Sequence, residues 1–224
     1  MATTLSYRDQ VLRLREDAIV SAVNRLLATK GYDLMTVDEV AAEAGLAKAS
    51  LYKHFTSKEE LAAAAMVRVL ERAIEQVDAL DAQPQLAVTQ RLEAIVRWTL
   101  EVQLAGEMPS LPSQNSRLTE ALRGHAAYMD RLLVLSDKLG DWILRAQAAG
   151  GLNPSLPAEL VLFTLFARAC DPVLGLLKAG GQYSDEQIID WLVTSTFDGL
   201  GAGERRIANV PQPASRPARS ARAR

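Results

Sequence analysis

An all-α fold is predicted by three observations. Apolar residues recur at helical spacing through most of the 224 residues, no segment alternates convincingly with the period of a strand, and glycine and proline fall mainly at breaks between the periodic segments. The organisation expected is a three-helix N-terminal unit over residues 1–56 containing a helix-turn-helix, a larger helical domain over 57–202, and a disordered Arg/Pro-rich tail over 203–224.

The first helix is expected from about Tyr7 to Lys30. Val11, Leu14, Ala18, Ala22 and Leu26 follow one face, Ile19, Val23 and Leu27 widen it, and Gly31 ends it. Thr36-Val-Asp-Glu39 reads as a capping box, in which Thr36 accepts from the Glu39 amide and Glu39 reaches back, with Met35 and Val40 placed as a hydrophobic staple. This second helix is short and stops at Gly45. A third is expected from about Lys48 to Phe55. Ser57-Lys-Glu-Glu60 reads as another capping box and opens a long helix to about Gln83, with a break from Asp81 to Pro84.

Further helices are expected near 85–105, 115–123, 125–148, 157–178 and 184–200, with loops at Gly106–Ser113 and Gly150–Pro154. Pro172 should kink the helix near 157–178 or end its first part. Ser184-Asp-Glu-Gln187 caps the last helix, with Tyr183 and Ile188 as its staple. From Gly203 onward the chain cannot bury apolar area and should be disordered.

The chain as a whole carries 25 Lys/Arg and 27 Asp/Glu, but the charge is unevenly placed. Residues 1–60 hold eight basic and nine acidic side chains, and residues 203–224 hold six and one. A nucleic-acid partner is therefore not indicated by net charge and must be argued from position. The stretch LAKASLYKHFTSKEEL, residues 46–61, has three lysines, a histidine and a tyrosine before its first acid at Glu59.

A short capped helix, a break at Gly45-Leu46-Ala47 and a second short helix make a helix-turn-helix. Val37, Val40, Ala41, Ala44, Leu46, Leu51 and Phe55 would form its core, leaving Lys48, Ala49, Tyr52 and Lys53 outward. Such a face suits a DNA major groove, where lysine donates to guanine O6 and N7 and alanine meets a thymine methyl. Base-edge contacts are assigned to Lys48, Ala49 and Lys53, and phosphate contacts to Tyr52, His54 and Lys58.

Residues 13–61 resemble the DNA-binding domain of the TetR family of bacterial one-component repressors. The matching pieces are Ile19 to Ala22, Gly31-Tyr32, Thr36-Val37, Val40-Ala41, Ala44-Gly45-Leu46, Leu51-Tyr52, His54-Phe55 and Lys58-Glu59-Glu60-Leu61. The resemblance implies a phosphate contact from Thr36 in addition to those of Tyr52, His54 and Lys58. It also implies that the larger domain binds a ligand and dimerises. Two positions depart from the pattern: Ala47 stands where a serine often caps the recognition helix, and Ala49 where glycine is frequent.

For the larger domain, the large side chains Trp98, Met108, Met129, Trp142, Phe163 and Phe166 are the expected lining of a pocket for an apolar or aromatic small molecule. Arg168 and Asp171, three residues apart, are read by default as an ion pair, with a ligand-carboxylate contact by Arg168 as the sharper candidate. Ile189, Trp191, Leu192, Val193, Thr196 and Phe197 are the expected dimer interface, part of a four-helix contact across a two-fold axis.

The function expected is that of a ligand-responsive repressor, which binds a pseudo-palindromic double-stranded operator as a homodimer and is released by a small effector. The alternative is an all-helical protein-interaction module without operator binding. The chain has two histidines and one cysteine, and it lacks HExxH, CxxC and a glycine-rich phosphate loop, so no enzyme, cofactor or metal site is expected. One cysteine and no run near the ~20 apolar residues of a membrane span point to a reducing cytoplasm and no membrane partner.

Overall fold

The computed structural model describes residues 6–109 and 117–201, and the tail over 203–224 lies outside the described residues. Ten α-helices and one 3-10 turn account for the elements, and no strand occurs among the described residues.

Helix α1 (Tyr7–Leu34) is interrupted where the sequence places its end, because Gly31 sits at φ 73° and ψ 170°, a conformation that a side chain would resist. Helix α2 (Val37–Glu43) starts at the full capping box of Thr36 and Glu39, with Met35 and Val40 both buried. Gly45, at φ 67°, turns the chain into α3 (Lys48–Leu51). Helix α3 is shorter than expected. Beyond Leu51 the chain tightens into i→i+3 bonds, Lys53 N–H to Ser50 and His54 N–H to Leu51. Its N-cap, Ala47, supplies no side-chain acceptor.

Helix α4 (Lys58–Asp81) is capped by Ser57, which accepts from the Glu60 amide. The return arm differs from a capping box. Glu60 accepts from the backbone and hydroxyl of Thr56, one residue further out. The remaining helices are α5 (Val88–Leu104), α6 (Arg117–Gly124), α7 (Ala126–Ala148), α8 (Ala158–Ala167), α9 (Pro172–Gly180) and α10 (Asp185–Leu200).

The segment expected as one helix near 157–178 is two, joined by a 3-10 turn at Arg168–Cys170. Pro172 opens α9 at a position where its missing N–H costs nothing. Asp171 caps that start by accepting from the Val173 amide. The stretch Ala158–Gly180 is long and apolar enough by composition to cross a membrane, which the sequence reading overlooked. Its two helices of 10 and 9 residues each fall short of the ~20 a span requires, and an ion pair sits at their junction.

Two apolar cores share α4. The first joins Ile19, Val23 and Leu27 of α1 with Val40 of α2 and Leu51 of α3, and it draws in Leu61, Ala65 and Met66 of α4 and Leu118 and Leu122 of α6. The second joins Val77 and Leu80 of α4 with α5, α7, α8 and α10. The same rigid helix is thus bound to the N-terminal head at one end and to the large domain at the other.

Candidate nucleic-acid interface and effector cavity

The helix-turn-helix presents Lys48, Ala49, Tyr52 and Lys53 together as exposed residues, while Leu51 between them is fully buried. Residues i, i+1, i+4 and i+5 of a helical turn share one side, so burial of Leu51 fixes the outward direction of the other four. Lys48 Nζ lies 2.9 Å from Asp38 Oδ1 on α2, and this hydrogen bond raises the lysine pKa above its ordinary value.

The expected phosphate donors are placed differently from one another. Thr36 is exposed, and its hydroxyl donates to Glu39 at 3.0 Å. Tyr52 is 49% exposed. Lys58 lies with its ammonium 4.3 Å from the Tyr32 ring centroid and 3.5 Å from the Asp33 carbonyl oxygen. His54 is turned inward. Its side chain is 11% exposed, with Nδ1 3.2 Å from Glu16 on α1, so a phosphate contact requires it to leave that partner.

Tyr32 ties the head to the start of α4 by donating its hydroxyl to Glu59 at 2.7 Å. Burial, reinforced by that carboxylate, pushes the Tyr32 pKa far up, and the phenol's hydrogen bond holds Glu59 below the usual carboxylate range. Glu39 is held at about 2 by the Lys30 ammonium and by the Thr36 backbone and hydroxyl.

A cavity of about 470 Å³ opens in the large domain between α4, α5, α7, α8 and the 3-10 turn. Trp98, Met108, Phe163 and Phe166 line it, as the sequence suggests. Met129, Trp142 and Arg168 do not. Trp142 is 2% exposed in the core, donates to Asp81 at 3.2 Å and lies beneath the Arg91 guanidinium, where it pins the α4–α5 turn. Arg168 is committed to Asp171 at 2.6 Å, the pairing expected by default from their spacing, and is not in the lining as a ligand contact. Met129, half-buried on α7, is outside the lining, whereas its neighbour Tyr128 is within it.

The sequence reading missed the cavity's polar groups, Thr99, Tyr128 and Cys170. Cys170 is half-buried at the wall. Burial raises the Tyr128 pKa, so its phenol stays neutral and can donate. The lining side chains described carry no formal charge. Among the described residues, no cluster of three or more His, Cys, Asp or Glu could hold a metal ion.

The expected dimer surface needs correction. Ile189, Leu192, Val193 and Thr196 are at most 8% exposed within the subunit's own core, so they are unavailable to a partner, and Phe197 is half-buried against that core. Trp191 is 47% exposed, as is much of Leu160, Phe163, Val173 and Leu176 on α8 and α9. Tyr183, read as a staple onto Ile188, instead sets its ring edge-on to Trp191 at 4.9 Å.

Residues 19–65 match the model of the "Bacterial regulatory proteins, tetR family" N-terminal domain. An uncharacterised HTH-type transcriptional regulator of Mycobacterium bovis is 45% identical over 53 residues, covering 24% of this chain and 26% of the relative. The match thus spans about a quarter of that relative's length. Among solved structures, the transcriptional regulator FadR from Bacillus subtilis, in complex with stearoyl-CoA, aligns with a TM-score of 0.61 at 16% identity, covering 82% of this chain and 98% of that one. The ketosteroid transcriptional regulator KstR2 of Mycobacterium tuberculosis aligns with a TM-score of 0.59 at 18% identity, covering 84% and 95%. At these identities the likeness shows the shared fold.

Proposed function

We propose that the chain, whose residues 19–65 match the tetR family of bacterial regulatory proteins, is a DNA-binding transcriptional regulator of the bacterial cytoplasm, acting as a repressor whose hold on an operator is released by an apolar effector. The observation that carries this reading is the exposed set Lys48, Ala49, Tyr52 and Lys53 on a helix positioned by the capped α2 and the Gly45 turn. Lys48, Ala49 and Lys53 read base edges, while Thr36, Tyr52 and Lys58 fix the phosphates on either side. His54 adds to them only after releasing Glu16.

The protein works as a homodimer through the exposed apolar side chains of α8 and α9, with Trp191 and Tyr183 at the edge of that surface. Two heads spaced about 34–36 Å apart then read two half-sites one DNA turn apart. Sedimentation tests this contact: Leu176→Glu should yield monomers, and an unchanged dimer would place the contact elsewhere.

The effector inserts an uncharged apolar portion, such as an acyl chain or fused rings, into the cavity, because an ionised group there would be desolvated without a partner. Thr99 and Tyr128 supply the few polar contacts that orient it. The stearoyl-CoA in the complex of Bacillus subtilis FadR likewise carries a long acyl chain. The effector favours a state in which α4 is repositioned, and it shifts the equilibrium only by its difference in affinity between the two states. A ligand that fills the cavity and leaves operator affinity unchanged would count against this switch.

Selection of duplexes from a randomised pool tests the reading. Enrichment of a sequence with two-fold related half-sites one turn apart is expected. Recovery of unrelated sequences would refute operator recognition.

A further inference from the structure

The polar side chains of the cavity wall differ in what they have left to offer a ligand. The Thr99 hydroxyl donates to the Ile95 carbonyl at 2.8 Å, so only its lone pairs remain. The Cys170 thiol, a weak donor, faces the Pro109 carbonyl at 3.9 Å. Trp98 and Tyr128 are different. Among the described residues, neither the indole N–H nor the phenol makes a hydrogen bond, so the unspent groups of the wall are donors. The Tyr128 backbone amide, by contrast, is spent on His125 Nδ1 at 3.2 Å, which fixes the first turn of α7 and with it the root of the ring. Resting on the effector reading above, we infer that Tyr128 is a specificity-determining residue of the cavity, and that the effector is a neutral compound presenting a carbonyl-type oxygen, such as that of a ketone or an ester, to its phenol.

Three kinds of occupant can be compared. A hydrocarbon that covers the phenol strands a donor without a partner, which opposes binding. An ionised carboxylate would satisfy the donor, but the described lining side chains include no cation to offset the desolvation of its charge. A carbonyl oxygen satisfies the donor, carries no charge and brings no hydrogen that would need an acceptor of its own. Tyr128 meets it better than Trp98, because a phenol O–H turns about its C–O bond to reach an acceptor, whereas an indole N–H has one fixed direction. Tyr128 also packs against the core of the head, which includes Leu118 and Leu122 of α6. The bond that selects the effector therefore forms where the cavity and the head meet.

The test uses the full chain and two probes of equal carbon number, methyl nonyl ketone and undecane. Binding is followed by tryptophan fluorescence, to which Trp98 in the wall contributes. Each probe is compared between wild-type protein and Tyr128→Phe, so the difference in their solubilities cancels. The ketone should bind the variant about fivefold more weakly. Undecane should bind it as tightly as wild type or more tightly, since it no longer covers an unpaired donor. Equal weakening of both probes would give Tyr128 a packing role alone, and an unweakened ketone would leave the phenol out of recognition. Either result overturns the inference. If neither probe binds wild-type protein, the reading of the cavity as an apolar effector site fails first, and the inference fails with it.

Discussion

Asn24, on α1 of the head, donates its side-chain amide at 2.5 Å to the backbone carbonyl of Glu107. Asn24 is 9% exposed, and Glu107 immediately precedes Met108 and Pro109 in the cavity wall. The Glu107 carboxylate is in turn held at 2.9 Å by Arg72, whose guanidinium lies 6.0 Å from the ring centroid of Trp98, also in the wall. The cavity therefore touches the head by a second route besides α4. Asn24→Leu removes this bond at a buried position. It is expected to leave binding of an apolar cavity ligand within about twofold and to lower the coupling between that ligand and DNA by about 0.5–2 kcal/mol. Anisotropy titrations with and without the ligand measure this, and unchanged coupling would confine communication to α4.

The head should lose stability in acid through Glu39. Its pKa in the folded chain, about 2, lies below the ordinary 4.5, so its contribution is complete above about pH 4.5 and is lost as the pH falls towards 2. Replacing Lys30 by Gln removes the largest cause of the depression. The Glu39 midpoint, followed by NMR, should then move up towards 4.5, and the acid unfolding of the head should begin at higher pH.

Ala47 occupies the N-cap of α3 with extended backbone, φ −71° and ψ 141°, and no side-chain acceptor. Ala47→Ser should stabilise the protein by about 1 kcal/mol, because serine can accept from an otherwise unpaired amide of the first turn. Urea unfolding measures the gain. No change would mean that the cap amides are already satisfied by water.

Leu132 on α7 faces the cavity without belonging to the buried core. Leu132→Trp should fill part of the about 470 Å³ and abolish the response to apolar ligands while leaving operator affinity within about twofold. Loss of DNA binding by the ligand-free variant would show that the cavity wall sets the spacing of the heads directly.

Local chemistry was the legible part of this chain. The Thr36–Glu39 and Ser184–Gln187 boxes, the Gly31 and Gly45 breaks and the Pro172 division each depend on residues a few positions apart, and the structure contains all of them. The Ser57 box was half legible, since nothing in the spacing distinguishes Ser57 from Thr56 as the partner of Glu60. Direction was the illegible part. The spacing of Ile189, Leu192, Val193 and Thr196 marks an apolar face without saying whether α5 of the same subunit or a partner covers it, and here they face the subunit's own core. Side-chain size likewise selected Trp142 as well as Trp98, although the polar environment of Asp81 and Arg91 draws Trp142 away from the cavity. Asp38 and Lys48 are ten positions apart across a tight turn, a separation that charge pattern alone does not resolve into a contact.

The central claim, that the exposed turn at Lys48–Lys53 reads bases, is tested most directly by fluorescence anisotropy on duplex from upstream of the protein's own gene and on its scrambled counterpart. Wild-type protein should prefer the genuine sequence, Lys53→Ala should narrow that preference, and Lys58→Ala should weaken both duplexes alike. Indifference of the wild-type protein to sequence, or a Lys53→Ala variant with undiminished preference, would contradict it.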